Sequence, residues 1–143
     1  MNEPPEPIFW VDENLGSSEF ISRLRLAGLQ IRANVFPEGT KDVVWIPQIA
    51  EYGWVAITKD KLKADLDEQI ALVLSGARVF VLVGDASHEE LANLFLRRIK
   101  WVRKVIESRD EAFLGKIYVK GGETAIVSLT DLCSRSNRRW GRK

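Results

Sequence analysis

The segment Ile8-Phe9-Trp10-Val11-Asp12-Glu13-Asn14-Leu15 decides the fold of this chain. Its first four residues are apolar without interruption, which is typical of a short strand buried on both faces of a parallel sheet. Two acidic residues follow directly, so carboxylates are expected at the carboxyl end of this strand. Ligands of open α/β sheets bind at that edge. The segment therefore points to a site if other acids reach the same edge.

Further apolar runs alternate with helical patterns along the chain. Glycine ends three predicted helices, at Gly28, Gly53 and Gly76, where a left-handed residue is favourable. Right-handed crossovers between such units predict a three-layer α/β/α fold with a mainly parallel central sheet. Pro47 predicts a kink or a late start in the second helix. The predicted strands cover 8–11, 29–35, 54–58 and 79–83, with a hairpin over 116–120 and 124–129; the predicted helices run from a cap at 16–19 to about 27, and over about 42–52, 67–75 and 87–108.

The bulk composition is that of one globular domain. The 143 residues are 45% hydrophobic and 29% charged, which suits a single core. We expect a disordered lead-in over 1–7, the α/β domain over 8–130 and a basic tail over 131–143. The tail is either solvated or a contact for nucleic acid or an acidic partner. The lone Cys133 favours a reducing, cytoplasmic setting, and no apolar run is long enough to predict a membrane span.

Acidic residues follow several of the predicted strands. Asp12, Asp60 and Asp85 come after strand ends, and Asp42 opens a helix near the same edge. Carboxylates brought close together repel by on the order of 1–4 kcal/mol per pair, so stability alone does not explain gathering them. A divalent cation relieves that repulsion, and hard oxygen ligands suit Mg²⁺ or Mn²⁺. The single histidine, His88, lies in a capping box, which makes carboxylate–metal chemistry the better enzymatic hypothesis.

Each of these acids also has a structural interpretation. Asp42 can stabilise its helix through the backbone dipole, Asp85 can cap a turn, and Glu13 can face solvent. Asp12 and Asp60 are more informative, because each follows a fully apolar strand. Thr58, near the end of the third strand, is a strand residue whose hydroxyl can support the site.

Three motifs resemble those of a known family. They are Val-Asp-Glu-Asn-Leu at 11–15, Gly-Thr-Lys-Asp-Val-Val-Trp-Ile-Pro at 39–47 and Gly-Trp-Val-Ala-Ile-Thr-Lys-Asp at 53–60. Together they resemble the PIN-like domains, in particular the compact branch that includes the VapC-type toxin ribonucleases. The resemblance covers roughly 8–120. It implies a metal-dependent endoribonuclease that hydrolyses RNA with Mg²⁺ or Mn²⁺, an antitoxin protein as partner, and a homodimer as a frequent assembly.

The resemblance also implies roles for individual residues. Asp12, Asp42 and Asp60 would be the first, second and third acids that hold the ion. Thr58 would correspond to the hydroxyl residue two positions before the third acid, and it joins the three acids as a predicted catalytic residue. The fourth acid of larger members has no clear match, and the candidate substitutes are Glu13, Asp65 and Asp85.

Basic side chains are candidates for RNA contacts. Lys59 and Lys61 flank the third acid. Arg97, Lys100 and Lys104 share one face of the predicted long helix, at helical spacing. Phosphate contacts dominate the affinity of proteins for nucleic acids, so these surfaces would hold the RNA backbone. An ordinary solvated face is the alternative interpretation.

Two other functions fit parts of the pattern. A receiver-like signalling module would be phosphorylated on Asp60, with Asp12 and Glu13 binding Mg²⁺. Against it, Asp60 lies two residues past the apolar run, and the fourth strand ends in Gly84-Asp85 rather than a hydroxyl residue. The third possibility is a PIN-like fold that has lost activity and serves as a binding protein.

Overall fold

The structure is a computed structural model that describes residues 6–59 and 66–127. Asp60, Lys61 and Asp65 lie outside the described residues. So do most of the expected lead-in and the whole basic tail over 131–143.

One sheet organises the described part of the chain. Its strands are β1 (Ile8–Val11), β2 (Gln30–Arg32), β3 (Val55–Thr58), β4 (Arg78–Val83), β5 (Phe113–Tyr118) and β6 (Thr124–Val127). They lie in the order β2-β1-β3-β4-β5-β6. Strands β1 to β5 pair in parallel and β6 pairs antiparallel to β5. The order of the first five strands is also that of receiver domains, so strand order does not separate the nuclease from the receiver hypothesis.

Helices cover both faces of this sheet. They are α1 (Ser18–Leu26), α2 (Asp42–Tyr52), α3 (Leu66–Ser75), α4 (His88–Arg97) and α5 (Ile99–Ser108), and Glu13–Leu15 form a single 3-10 turn. One core cluster joins the sheet to α1, α4 and α5, and the other joins it to α2 and α3. The predicted three-layer α/β/α fold is therefore confirmed. Among the described helices, none combines the length and the apolar character needed to cross a membrane.

The opening strand is buried as its sequence predicts. Phe9 and Val11 belong to the core cluster with α1 and α4, whereas Trp10 points to the opposite cluster. Side chains on both faces are thus removed from water. Burial of each large apolar residue stabilises the fold by about 1.5–3 kcal/mol. The same holds for β3, whose four residues are all buried. These two strands are central neighbours, and their carboxyl ends bring Asp12 and Thr58 together.

Several element boundaries differ from the predicted ones. The predicted long helix is two helices, because the chain breaks at Arg98, where φ is −104° and ψ is 11°. The second strand lies at the sheet edge and stops at Arg32, since the chain turns at Asn34 with a positive φ of 57°. The fifth strand begins at Phe113, three positions earlier than predicted. Pro47 lies within α2, which starts at its predicted residue, so the late start is wrong.

The predicted turn at Gly121 and Gly122 is confirmed. Both glycines have positive φ, and β6 returns antiparallel along β5. The Nε of Arg98 donates to the carbonyl oxygen of Gly122 at 2.7 Å. The hairpin is therefore held by the same residue at which the two helices break.

Candidate active site

Asp12 is the buried acid at the carboxyl end of β1. Its side chain is 6% exposed. Its Oδ1 accepts a hydrogen bond from the backbone N–H of Glu13 at 2.7 Å, and its Oδ2 accepts one from the hydroxyl of Thr58 at 2.7 Å. The backbone N–H of Asp12 donates to the carbonyl of Ile57 at 3.0 Å, which fixes the main chain as well. The carboxylate is held in one orientation by contacts from two strands and a turn.

Asn14 connects the ends of β1 and β3. Its amide nitrogen lies 3.5 Å from the hydroxyl of Thr58, and its amide oxygen accepts from the backbone N–H of Lys59 at 3.4 Å. Both contacts are long, so each is weak by itself. Together they place the backbone of Lys59 beside the turn that follows Asp12. The described chain therefore leaves β3 next to the first acid.

Asp42 is the first residue of α2. Its Oδ1 accepts a hydrogen bond from the indole Nε1 of Trp45 at 2.6 Å. The Trp45 ring is 1% exposed and packs against Trp10 with ring centroids 4.6 Å apart. This chain of contacts fastens the half-buried Asp42 carboxylate to the aromatic layer beneath the sheet edge.

A cleft of about 370 Å³ lies between the end of β1 and the loop over 33–41. Asp12, Glu13 and Glu38 line it, and none of its described lining residues is basic. The Trp45 ring that bonds Asp42 forms part of the same wall. Asp12 therefore lies in a cleft with an excess of negative charge along its described lining. Asp42 is connected to the wall of this cleft through Trp45 but is not itself one of the lining residues.

Glu13 and Asp85 play different parts from those two acids. The Glu13 carboxylate accepts from the backbone N–H of Gly39, at 3.0 and 3.2 Å for its two oxygens. Gly39 has a positive φ of 81°, so this contact holds a tight turn of the loop against the end of β1. Asp85 is exposed after β4. Among the described residues, neither side chain makes a hydrogen bond to Asp12 or to Thr58.

The described residues suit a hard divalent ion without completing its ligand set. Their oxygen-rich chemistry is that of Mg²⁺ and Mn²⁺ sites. No group of three histidine, cysteine, aspartate or glutamate side chains within residues 6–59 and 66–127 could hold a metal ion. The third predicted ligand, Asp60, follows Lys59 directly and lies outside those residues. Asp12 and Asp42 are the two described residues among the three acids that the sequence assigns to the ion.

The predicted RNA-binding residues occupy separate elements. Lys59 is half-buried beside the cleft, and Lys61 lies outside the described residues. Arg97 ends α4, whereas Lys100 and Lys104 belong to α5, so the single continuous basic helix is wrong. Arg97, Lys100 and Lys104 are nevertheless exposed. They stay predicted RNA contacts, on the helical layer that α4 and α5 form with α1.

Two features of the site were missed from the sequence. Asn14 was not singled out, although its position two residues after Asp12 in the opening segment could have suggested it. Phe36 lines the cleft and packs edge-on against Trp10, with centroids 5.5 Å apart. Nothing in the loop sequence reveals that contact, since it depends on how the loop folds over the strand end.

Comparison with known proteins adds one finding. The family model described as PIN like domain matches residues 7–84. Searches of curated proteins and of solved structures each found no match to the chain. The matched segment spans β1 to β4 and therefore contains Asp12, Asp42 and Thr58.

Proposed function

The chain belongs to the PIN-like domain family, and from that premise we propose that it is a metal-dependent endoribonuclease. PIN-like domains are generally nucleases and usually bind divalent metals. In this proposal Asp12, Asp42 and Asp60 hold Mg²⁺ or Mn²⁺, and RNA is the substrate. The family match, the position of Asp60 two residues past the apolar run and the Gly84-Asp85 end of the fourth strand favour this function over the receiver-like alternative.

The buried carboxylate of Asp12 is the observation that carries the proposal. Removing a charged group from water is unfavourable unless it is paired, hydrogen-bonded or bound to a metal. Asp12 is 6% exposed and lies in a cleft whose described lining contains two further acids and no base. Its hydrogen bonds from the Glu13 N–H and the Thr58 hydroxyl hold the carboxylate in one orientation beside these acids. A divalent ion held by Asp12, Asp42 and Asp60 would offset the negative charge collected in the cleft.

The residues of the chain then have distinct roles. When bound, the ion supplies Lewis acidity that activates water and offsets negative charge at phosphorus. Thr58 orients Asp12 by donating to its Oδ2, and the Glu13 N–H fixes its Oδ1. Trp45 holds Asp42 through its indole N–H. These donors fix the orientation of both carboxylates. Hydrogen bonds from neighbouring groups commonly orient metal ligands in this way.

The experiment that tests this function is cleavage of labelled RNA in Mn²⁺, in Mg²⁺ and in excess chelator. We expect cleavage only with the metals, and we expect Asp60→Asn to abolish it while the thermal unfolding curve stays unchanged. Asp110→Asn is the matched control, since Asp110 is an exposed acid beyond α5. A folded Asp60→Asn protein that cuts as fast as the unchanged chain would refute the assignment.

We also propose that the enzyme acts in the cytoplasm as the toxin of a toxin–antitoxin pair. The motifs around Asp12, Asp42 and Asp60 resemble those of VapC-type toxins, and Cys133 is alone. Exposed apolar side chains on α2 and α3 also suit contact with a protein, whether an antitoxin or a second copy: Val44 is 50%, Ile70 40% and Leu74 81% exposed.

Growth of a bacterial host tests the toxin role. Induction of the unchanged chain should slow growth, and Asp12→Asn should not. Co-expression of a short adjacent reading frame should restore growth. If the unchanged chain cuts RNA in vitro but leaves growth unaffected at equal expression, the toxin role is wrong and the nuclease proposal remains.

A further inference from the structure

The cleft beside Asp12 continues past the acid to an aromatic wall. Phe36, Trp10 and Trp45 contribute rings to its lining. The Phe36 ring stands nearly perpendicular to Trp10, at 76°, and is only half-buried. The other two rings are buried, at 4% and 1% exposure, so Phe36 is the ring of this wall that solvent reaches best. A ligand that enters the cleft can therefore reach this apolar ring.

The loop that carries Phe36 is held in place at several points. The Glu13 carboxylate accepts from the Gly39 N–H, and the Thr40 N–H donates to the carbonyl of Pro37 at 3.2 Å. Asn34 adopts a positive φ of 57°, a conformation that asparagine tolerates better than most residues. The two hydrogen bonds fix the turn on the carboxyl side of Phe36, and the Asn34 conformation bends the chain on its amino side. The aromatic surface is therefore preformed next to the acid.

Polar side chains at the rim can read a planar ligand. Asn14 and Asn34 both line the cleft and carry amides that donate and accept hydrogen bonds. Asn34 is exposed, and so is Asn14. Amides paired with a stacking ring are what proteins use to bind the bases of single-stranded RNA.

The negative charge of the cleft favours a neutral ligand over a phosphate. Asp12, Glu13 and Glu38 line it and no described lining residue is basic, so a phosphate away from the ion would be repelled. A neutral planar group has no such penalty. The volume of about 370 Å³ lies within the range of small-molecule sites and accommodates one nucleotide.

We propose that this cleft is a nucleobase subsite, in which one base of single-stranded RNA stacks on Phe36 while its edge meets the amides of Asn14 and Asn34. The inference rests on the proposed function, because the base belongs to a nucleotide next to the phosphodiester at Asp12. Recognition of that base makes the cleavage position depend on sequence.

Binding of fluorescein-labelled RNA hexamers, followed by anisotropy, tests the subsite. The full chain carrying Asp12→Asn is the parent, so that the RNA stays intact. Phe36→Leu in that parent should weaken binding by about tenfold, the order of one lost base–aromatic stack. Phe36→Tyr keeps the ring and should restore binding. Tyr52→Leu is the control, because it removes a half-exposed ring at the far end of α2 and should change nothing.

Hexamers with one base removed at each position in turn locate the contact. At one position the abasic hexamer should bind about tenfold more weakly, and Phe36→Leu should have no further effect on that hexamer. Equal binding by the parent and Phe36→Leu overturns the subsite. So does a Phe36→Leu loss that is the same on every abasic hexamer, or a parent that binds no hexamer.

The outcome is separable from that of the proposed function. If the unchanged chain cuts RNA with Mn²⁺ but Phe36→Leu binds normally, the subsite is wrong and the nuclease stands. If the Phe36-dependent base contact is found but no metal-dependent cleavage occurs, the nuclease is wrong and the subsite stands. Matching unfolding curves of Phe36→Leu and the parent show that the weaker binding does not come from a loss of the fold.

Discussion

The amino ends of the parallel strands form one edge of the sheet, and their carboxyl ends form the other. Each of these two edges carries a cleft, and the two clefts differ in charge. The cleft at the amino edge, bounded by the starts of β1, β3 and β4, has a volume of about 790 Å³ and contains both acidic and basic side chains. The cleft at the carboxyl edge is about 370 Å³ and its described lining is acidic without a base. The larger cavity is lined by three acids and two arginines, whereas the smaller one is lined by three acids and no described base. The absence of a basic residue from the described lining, rather than size, identifies the candidate active site.

At the amino edge, specific contacts place each arginine near an acidic residue or a carbonyl oxygen. Arg78 donates to the carbonyl of Gly53 at 3.0 Å, and burial lowers the pKa of its guanidinium while Asp110 acts in the opposite direction. Arg103 lies 3.6 Å from Glu6. Arginine stays protonated at neutral pH, so these are ordinary paired charges. They offset most of the negative charge that lines this cleft.

The largest expected effect comes from Asp12→Asn. We expect kcat for RNA cleavage to fall on the order of 10³-fold, because the ion loses a charged ligand. The free energy of unfolding should change by less than about 1 kcal/mol, since an asparagine can keep its oxygen on the Glu13 N–H and turn its amide toward the Thr58 hydroxyl. Single-turnover cleavage and chemical denaturation measure the two quantities. A mutant that unfolds readily would show that Asp12 serves the fold.

A smaller loss is expected for Asp42→Asn, on the order of 10²-fold in kcat. Asparagine can still accept from the Trp45 indole, so the helix start is retained while the charge is removed. Glu51→Gln at the other end of α2 is the matched control, because it removes an exposed charge from the same helix. Equal rates for Asp42→Asn and the control would remove Asp42 from the site.

Thr58→Val tests a positioning residue at the same edge. Thr58 is fully buried and donates to Asp12 at 2.7 Å, so the valine leaves that carboxylate without one of its donors. We expect Mn²⁺ affinity and kcat to fall about tenfold to a hundredfold, the usual effect of losing a group that orients a metal ligand. Thr58→Ser should restore Mn²⁺ affinity, because it keeps the hydroxyl. A valine variant with normal metal affinity would limit Thr58 to packing.

The smallest effect on activity is expected at the amino edge. Arg78→Met should leave cleavage unchanged and lower the free energy of unfolding by about 1 kcal/mol, since it removes one hydrogen bond from a half-buried side chain. Urea denaturation checks the stability change. A large loss of cleavage in a folded Arg78→Met protein would show that the two edges are not functionally distinct.

Local patterns are sufficient to predict most of the fold. Apolar runs predicted β1, β3 and β4, and glycines such as Gly53 marked the ends of helices. The fifth strand was misplaced because Gly115 and Lys116 interrupt its apolar pattern. Gly115 is required by a distant contact, since a Cβ there would lie 2.8 Å from the Phe80 ring. Arg98, where the predicted long helix breaks, likewise hydrogen-bonds to a turn 24 positions away.

The site was predictable where strand ends determine it. Asp12 and Thr58 meet because β1 and β3 are parallel neighbours. The sequence predicted the parallel sheet and the shared edge, but not that these two strands are adjacent. The loop over the cleft was not predictable, because Glu13 and Gly39 are 26 positions apart and neither belongs to a regular element that pairs them. The assignment of Asp60 stays a prediction, as this residue lies outside the described part of the chain.

Titration calorimetry with Mn²⁺ tests the central claim most directly, because it measures the shared cation without requiring any RNA. The unchanged chain should bind one ion, Arg78→Met should bind it equally well, and Asp12→Asn should show no measurable binding. Equal Mn²⁺ affinity for Asp12→Asn and the unchanged chain, or no binding by the unchanged chain, would contradict a metal site at the carboxyl edge of the sheet.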